Sequence, residues 1–357
     1  MEYYVGRYKN MNVPPSTPLF LCFLLLCIPC AYSETPKIKV GIYYYVWYDP
    51  DSPDAYYNWS YPTHQDKPIL GYYNSGNITV INQHLEWWND LKIDFVIISW
   101  WGIGNHIDNN AKLVYECAKN QVSNIKFCLM VEDFNQSGIY DYKSIYDYVY
   151  ENYILPYYSL CFIMDNKPLI LFWNAPNLTD FSKFQYDDRF TVKFSGHFSF
   201  CNFVYSHFEG YEPYQSWKNN KFYDIPYCRM YPLCPRYDDF YVRYPNYTIN
   251  KDLSLPIYEN EWKDAIKYAK ANKIDIVTIA TWNEFPERTA IEPHYDRDAW
   301  NNDPYYLYNL TKQYIAQIKG ESIPSIEKWY EDPKNYAIVI GTILFGIILG
   351  KWFFDRI

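Results

Sequence analysis

The run Ile276-Val277-Thr278-Ile279-Ala280 constrains the fold more than any other stretch: it is short, continuously apolar apart from one threonine, and rich in β-branched residues. That is the composition of a strand buried on both faces, which belongs to a parallel sheet covered by helices. The run stops abruptly in Trp282-Asn283-Glu284-Phe285-Pro286-Glu287. Proline stiffens the turn, so Glu284 and Glu287 can converge on one cleft at the carboxyl end of the strand. Two such carboxyls suit glycosidic bond cleavage, where one is kept protonated for the leaving oxygen and one is ionised opposite it. A solvated acidic loop has the same spacing. The neighbours favour a site: Trp282, Asn283, Phe285, Glu292 and His294 add stacking surface and hydrogen-bonding groups.

Elsewhere in the chain, strand-like and helix-like segments alternate. Strands are predicted at Lys39–Tyr45, Phe95–Ser99, Phe127–Val131 and Leu169–Phe172, with weaker candidates at Thr191–Phe194, Asn202–Tyr205 and Pro226–Met230. Helices are predicted at Val80–Leu91, Ala111–Lys119, Tyr142–Tyr153, Glu259–Asn272 and Tyr305–Lys319. Repeated strand-helix units without a Gly-rich phosphate loop after the first strand point to a parallel barrel over residues 34–320, in the α/β class, more than to an open sheet. In a barrel, whatever follows each strand lies on one face. Those positions hold Tyr45, Trp47 and Tyr48, then Trp100 and Trp101, Glu132, Trp173 and Asn174, Ser206 and His207, and finally Asn283 with the two glutamates. Aromatic and acidic groups recurring there are what a sugar-binding groove requires.

Tyrosine, at 42 of 357 residues, lifts the aromatic share to 21%. Tyrosine and tryptophan stack on sugar rings while offering a polar tip, although the host's amino-acid usage could produce the same excess. A net charge of -9 with no basic block excludes nucleic acid as an expected partner. Arg7 and Lys9 before the apolar run Leu19–Ile28, closed by Ala31-Tyr32-Ser33, read as a secretory signal over residues 1–33. The stretch from Tyr336 to Phe354 reads as a single transmembrane helix, joined by a stalk at 321–335 and followed by a tail at 355–357. The expected location is therefore a cell membrane, with the large domain extracellular or lumenal. Sequons at Asn58, Asn77, Asn135, Asn177, Asn246 and Asn309 become candidate glycosylation sites. Six cysteines remain outside the signal, an even number that favours disulfides in that compartment. Cys228 with Cys234, across a Pro-containing loop, is the first expected pair. No zinc pattern occurs, and no metal or cofactor is expected.

The segment Asn283-Glu284-Phe285-Pro286-Glu287-Arg288-Thr289-Ala290-Ile291-Glu292 resembles, without a gap, the N-E-W-H-E-G-T-Q-I-E pattern of glycoside hydrolase family 99, the endo-α-mannosidase and endomannanase family. Further similarities follow in the family's order: Tyr44 to Tyr48 with Tyr57-Asn58-Trp59, Ser99-Trp100-Trp101, Lys126 to Phe134, Lys167-Pro168, Val204 to Phe208, and Pro235-Arg236-Tyr237-Asp238 with Arg243. The resemblance implies a (β/α)8 barrel cleaving α-mannosidic linkages inside a glycan, with retention and without metal. It further implies that Glu284 is the base on the sugar's own 2-hydroxyl, that Glu287 is the acid and then base, and that Glu132 holds the sugar at the cleavage point. Tyr205, His207, Tyr237 and Glu292 join the expected substrate contacts on the same ground. The chain departs from the pattern at Pro286, Arg288, Ala290 and Arg236, and Arg288 is expected to set a guanidinium beside the acid pair. Two other functions fit the same barrel: a non-catalytic glycan-binding protein, and a glycosyltransferase with a lipid-linked donor.

Overall fold

The apolar runs assemble into one parallel sheet. The computed structural model describes residues 38–62, 66–132, 141–173, 184–196, 203–204, 224–225, 228–243, 251–297 and 303–322. Among the described residues eight strands run parallel: β1 (Lys39–Tyr45), β2 (Phe95–Trp100), β3 (Lys126–Val131), β4 (Lys167–Trp173), β5 (Thr191–Gly196), β6 (Phe203–Val204), β7 (Cys228–Leu233) and β8 (Ile276–Ile279). Their order across the sheet is β6-β5-β4-β3-β2-β1-β8-β7, with Asp224–Ile225 added antiparallel beside β7. The first strand thus pairs with the second on one side and with the last on the other. Such an order makes the sheet curl. Tyr43 of β1 reaches Ser195 of β5 across the interior, hydroxyl to hydroxyl at 3.0 Å, and Cα atoms of β6 come within 8 Å of those of β7. The result is a mixed α/β fold built on a curled sheet.

Alternation along each strand divides the apolar side chains into two cores. Inside the curl lie Tyr43, Phe95, Ile97, Cys128, Met130 and Leu171, with Phe162 stacked on Phe95 at 3.9 Å. Gly41 is required here, because a Cβ on it would meet the Phe95 ring at 2.3 Å. Outside, the second core joins the sheet to the helices α1 (Ile78–Asp90), α2 (His106–Asn120), α3 (Tyr142–Val149), α4 (Lys251–Lys270) and α5 (Tyr306–Ile318). α1 buries Val80, Ile81, His84, Leu85 and Trp88, the face that a period of 3.6 presents. Asn77 starts α1 and Asn105 starts α2, their side chains accepting from the backbone N–H of Thr79 and Asp108.

One expectation changes. Cys234 is a free buried thiol, as are Cys117, Cys128 and Cys161. Cys228 opens an extended strand that ends one residue before Cys234. Six residues of strand carry Cα atoms about 20 Å apart, and a disulfide tolerates about 7 Å. Among the described residues no helix is long and apolar enough to cross a membrane. The predicted signal, the span at 336–354, Cys201, and the sequons at Asn135, Asn177 and Asn246 lie outside the described residues. Asn77 is exposed and Asn309 half-buried on α5, whereas the half-buried Asn58 already spends its side-chain N–H on the Ser52 carbonyl at 2.9 Å.

Candidate active site

Glu284 and Glu287 lie on a single 3-10 turn, Phe285–Glu287, directly beyond β8. The turn is fixed from below by Thr281, whose hydroxyl accepts from the Glu284 N–H at 2.9 Å and meets the Thr289 hydroxyl at 2.9 Å. Trp282 N–H donates to the Tyr43 carbonyl at 2.7 Å, tying the start of the turn to β1. Asn283 extends that tie. Its side chain accepts from the Tyr45 N–H at 2.9 Å and donates to the Tyr45 carbonyl at 2.8 Å, so an amide side chain continues the sheet ladder past the end of the strand. Its own carbonyl accepts from the Tyr48 hydroxyl at 2.8 Å, and that hydroxyl in turn accepts from the Phe285 N–H at 3.2 Å.

Glu132 joins the pair from the end of β3. It follows the inward positions Cys128 and Met130, so strand alternation turns its side chain into the curl. There it accepts from the Ser99 hydroxyl at 2.8 Å, and Ser99 also accepts from the Trp101 indole at 2.9 Å. Burial pushes the Glu132 carboxyl up to about 8, the Ser99 bond opposing this and the charge of Glu287 adding to it. Glu287 is therefore close enough for its charge to be felt at Glu132, and both Glu287 and Glu284 act likewise on the Cys234 thiol. Three carboxyls, each between 6% and 8% exposed, thus gather where β3, β7 and β8 end.

Around them the aromatic residues form a packed layer. Tyr45 lies against Trp47 at 4.3 Å, Trp47 reaches Trp101 at 6.3 Å, and Tyr48 stacks on Trp59 at 3.7 Å. Trp101 is well exposed, while Trp47 and Tyr48 are buried within this layer. Trp173 is half-buried at the end of β4, next to the inner core. Tyr237 is buried, its hydroxyl donating to Asp239 at 2.8 Å. Trp100 does not join the others. It alternates with Ser99, so its indole points to the helix side and donates to Asp108 at 2.9 Å. Glu292 lies fully buried behind the turn, accepting from the Tyr73 hydroxyl at 2.7 Å and meeting His84 at 3.3 Å. Asn174, Tyr205 and His207 lie outside the described residues.

Sequence reasoning missed Ser99, Tyr73 and Asp66. Counting parity back from Glu132 through the parallel register, which sets Ser99 beside Met130, is the signal that finds Ser99 instead of Trp100. The guanidinium of Arg288, the left-handed residue that ends the turn, meets Asp66, Asp238 and Asp296. Those carboxylates also receive Arg236 and Arg297, so the positive charge there is already supplied where Asp66, His294 and Asp296 bring ligand-type atoms within 4.8 Å of one another. A separate cleft of about 240 Å³ opens at the amino ends of the strands, lined by Lys39, Asp94, Lys126, Phe162 and Lys319. It is at the wrong end of the sheet for this chemistry.

No protein-family model matches the chain, and no curated protein matches its sequence. Solved structures do match. One described as the GH99 endo-alpha-mannosidase from Bacteroides thetaiotaomicron superimposes with a TM-score of 0.61 at 16% identity, over 79% of this chain and 97% of the other. The same enzyme in complex with bis-tris-propane gives 0.59 at 17% identity over the same shares. A glycoside hydrolase-like protein gives 0.51 at 12% identity over 78% and 94%. At such identities the likeness is one of fold, and the fold this chain has is that of the GH99 endo-α-mannosidase and of a glycoside hydrolase-like protein.

Proposed function

We propose that this chain is a (β/α)8-barrel glycoside hydrolase acting inside α-mannosyl glycans, with retention of configuration. The observation that carries the reading is the gathering of Glu132, Glu284 and Glu287 at the carboxyl ends of the strands, beside an aromatic layer. Glu284 takes the proton from the sugar's 2-hydroxyl as that oxygen attacks the anomeric carbon, and Glu287 protonates the leaving oxygen. The first step yields a 1,2-anhydro sugar. Water deprotonated by Glu287 then opens the anhydro ring at the same carbon, and Glu284 returns its proton to the 2-oxygen. Two inversions amount to retention. Glu132, held neutral over much of the pH range by its burial, can donate to a sugar hydroxyl while accepting from Ser99. The leader-like and span-like segments at the two ends support an outward-facing, membrane-anchored enzyme.

The test is incubation of the full chain with α-linked manno- and gluco-oligosaccharides, reading products by mass and anomeric configuration. Glu284→Gln and Glu287→Gln should each lower oligosaccharide release by at least about a hundredfold, with the fold intact by circular dichroism. Full activity in either variant rejects the assignment, and an inverted product rejects the anhydro-sugar route. Binding without release by the wild type would make the protein a glycan receptor.

A further inference from the structure

Arg288 closes the turn that carries both glutamates in a left-handed conformation, φ 57° and ψ 30°. Glycine enters that region freely, and a residue with a Cβ enters it at a cost. The side chain is also 2% exposed, which a guanidinium tolerates only when its charge and its donors are met. They are met. Nε donates to Asp66 at 3.3 Å, one terminal nitrogen to Asp238 at 2.9 Å and the other to Asp296 at 3.0 Å. Arg236 approaches from the segment after β7, donating Nε to the Arg288 carbonyl at 2.8 Å and its terminal nitrogens to Asp296 and Asp66, with the His294 Nε2 at 2.9 Å. Arg297 completes the set, its side chain on Asp238 at 2.7 Å and its backbone N–H on Asp66 at 2.8 Å. Three carboxylates thereby balance three guanidiniums immediately beyond Glu287, whose carbonyl accepts from the Asp238 N–H at 2.9 Å.

We propose that Arg288 and Arg236 are positioning residues, a pair of internal cations that clamps the Glu284–Glu287 turn to Asp66 and to the segment His294–Arg297, and so fixes the direction of the Glu287 carboxyl. The positioning half rests on the hydrolase reading above; the clamp does not. Burial by itself would push the Asp66 carboxyl up, and Arg236 and Arg288 instead hold it well below its usual range, as permanent contact with two cations requires.

Arg288→Gly is the decisive variant, since it relieves the backbone while deleting the cation. An arginine that merely occupies a tight turn would be replaced without loss, and the glycine variant would melt no lower and turn over normally. The clamp gives the opposite result: a melting midpoint lower by about 5 °C or more, and kcat down by about tenfold with KM within about twofold. Millimolar guanidinium, and not an equal concentration of sodium, should restore part of both. If Arg288→Gly does not fold, Arg236→Lys and Arg288→Lys keep the charge and lose the fork, and each should show the same split with a smaller loss. Unaltered melting and turnover in the double lysine variant overturns the clamp. A wild type inert toward every glycan overturns the hydrolase reading alone, because the melting experiments still decide the clamp.

Discussion

The turn bearing Glu284 and Glu287 is held on its two flanks by different chemistry. On the amino side, Asn283 bonds to backbone groups of Tyr45 and to the hydroxyl of Tyr73, and Tyr48 braces Asn283 and Phe285. These are hydrogen bonds of uncharged groups, and only at the far end do they reach the Glu292 carboxylate. On the carboxyl side, Arg288 hands the chain to a set of ion pairs with Asp66, Asp238 and Asp296. The difference teaches where each flank is vulnerable. A neutral bond is lost only by removing its atoms, whereas an ionic one is also lost when a proton neutralises the carboxylate. A turn held by both keeps its place in acid on one side only.

Breaking the ionic flank should have the largest effect on stability. Asp66→Asn leaves two buried guanidiniums short of a counter-charge, and the expected loss is about 3–5 kcal/mol by chemical denaturation. Its pH dependence carries the comparison. The folded-state value of Asp66 lies below the ordinary 3.8, so its stabilisation is fully present above that value and fades as pH falls through the folded one. The gap between wild type and variant should therefore narrow in acid. A gap that stays constant with pH would show that Asp66 acts by shape instead of charge.

Breaking the neutral flank should cost somewhat less and show no such narrowing. Asn283→Ala strands the N–H and carbonyl of Tyr45 and removes a donor to Tyr73, all fully or almost fully buried, for a loss of about 3 kcal/mol. Denaturation across the acid range in which the Asp66 variant converges on wild type checks this. Convergence of the Asn283 variant as well would mean that the flanks share a titrating group.

How far each flank could be read from sequence follows from the same contrast. The strands were legible because buried apolar runs mark themselves: β1 was predicted at its observed bounds, and β2, β3, β4 and β8 to within about two residues. α2 begins five residues before its predicted start, since its first turn, His106 to Asn110, is largely polar and is specified by the Asn105 cap instead of by apolar period. Asn283 and the two glutamates were legible because they sit in one continuous stretch. Their supports were not. Asp66 is 222 positions from Arg288 and Tyr73 is 210 from Asn283, and no local pattern marks either. Arg236 and Arg288 stood out only as departures from the pattern the chain otherwise resembles, and their partnership through one backbone carbonyl needed three dimensions to see.

The smallest effect sharpens the comparison most. Tyr73→Phe removes one hydroxyl that donates to Glu292 at 2.7 Å and accepts from Asn283 at 3.0 Å. Asn283 keeps its bonds to Tyr45, and the other Glu292 oxygen keeps its contact with His84, so the loss should be about 1–2 kcal/mol. Combined with Asp66→Asn, it asks whether the two flanks act separately. Among the described residues the Tyr73 hydroxyl and the Asp66 carboxylate have no hydrogen-bonding partner in common, and groups without a common partner add to within about 0.5 kcal/mol. A larger coupling in the double variant would mean that the turn transmits strain from one flank to the other, and the two would then form a single clamp.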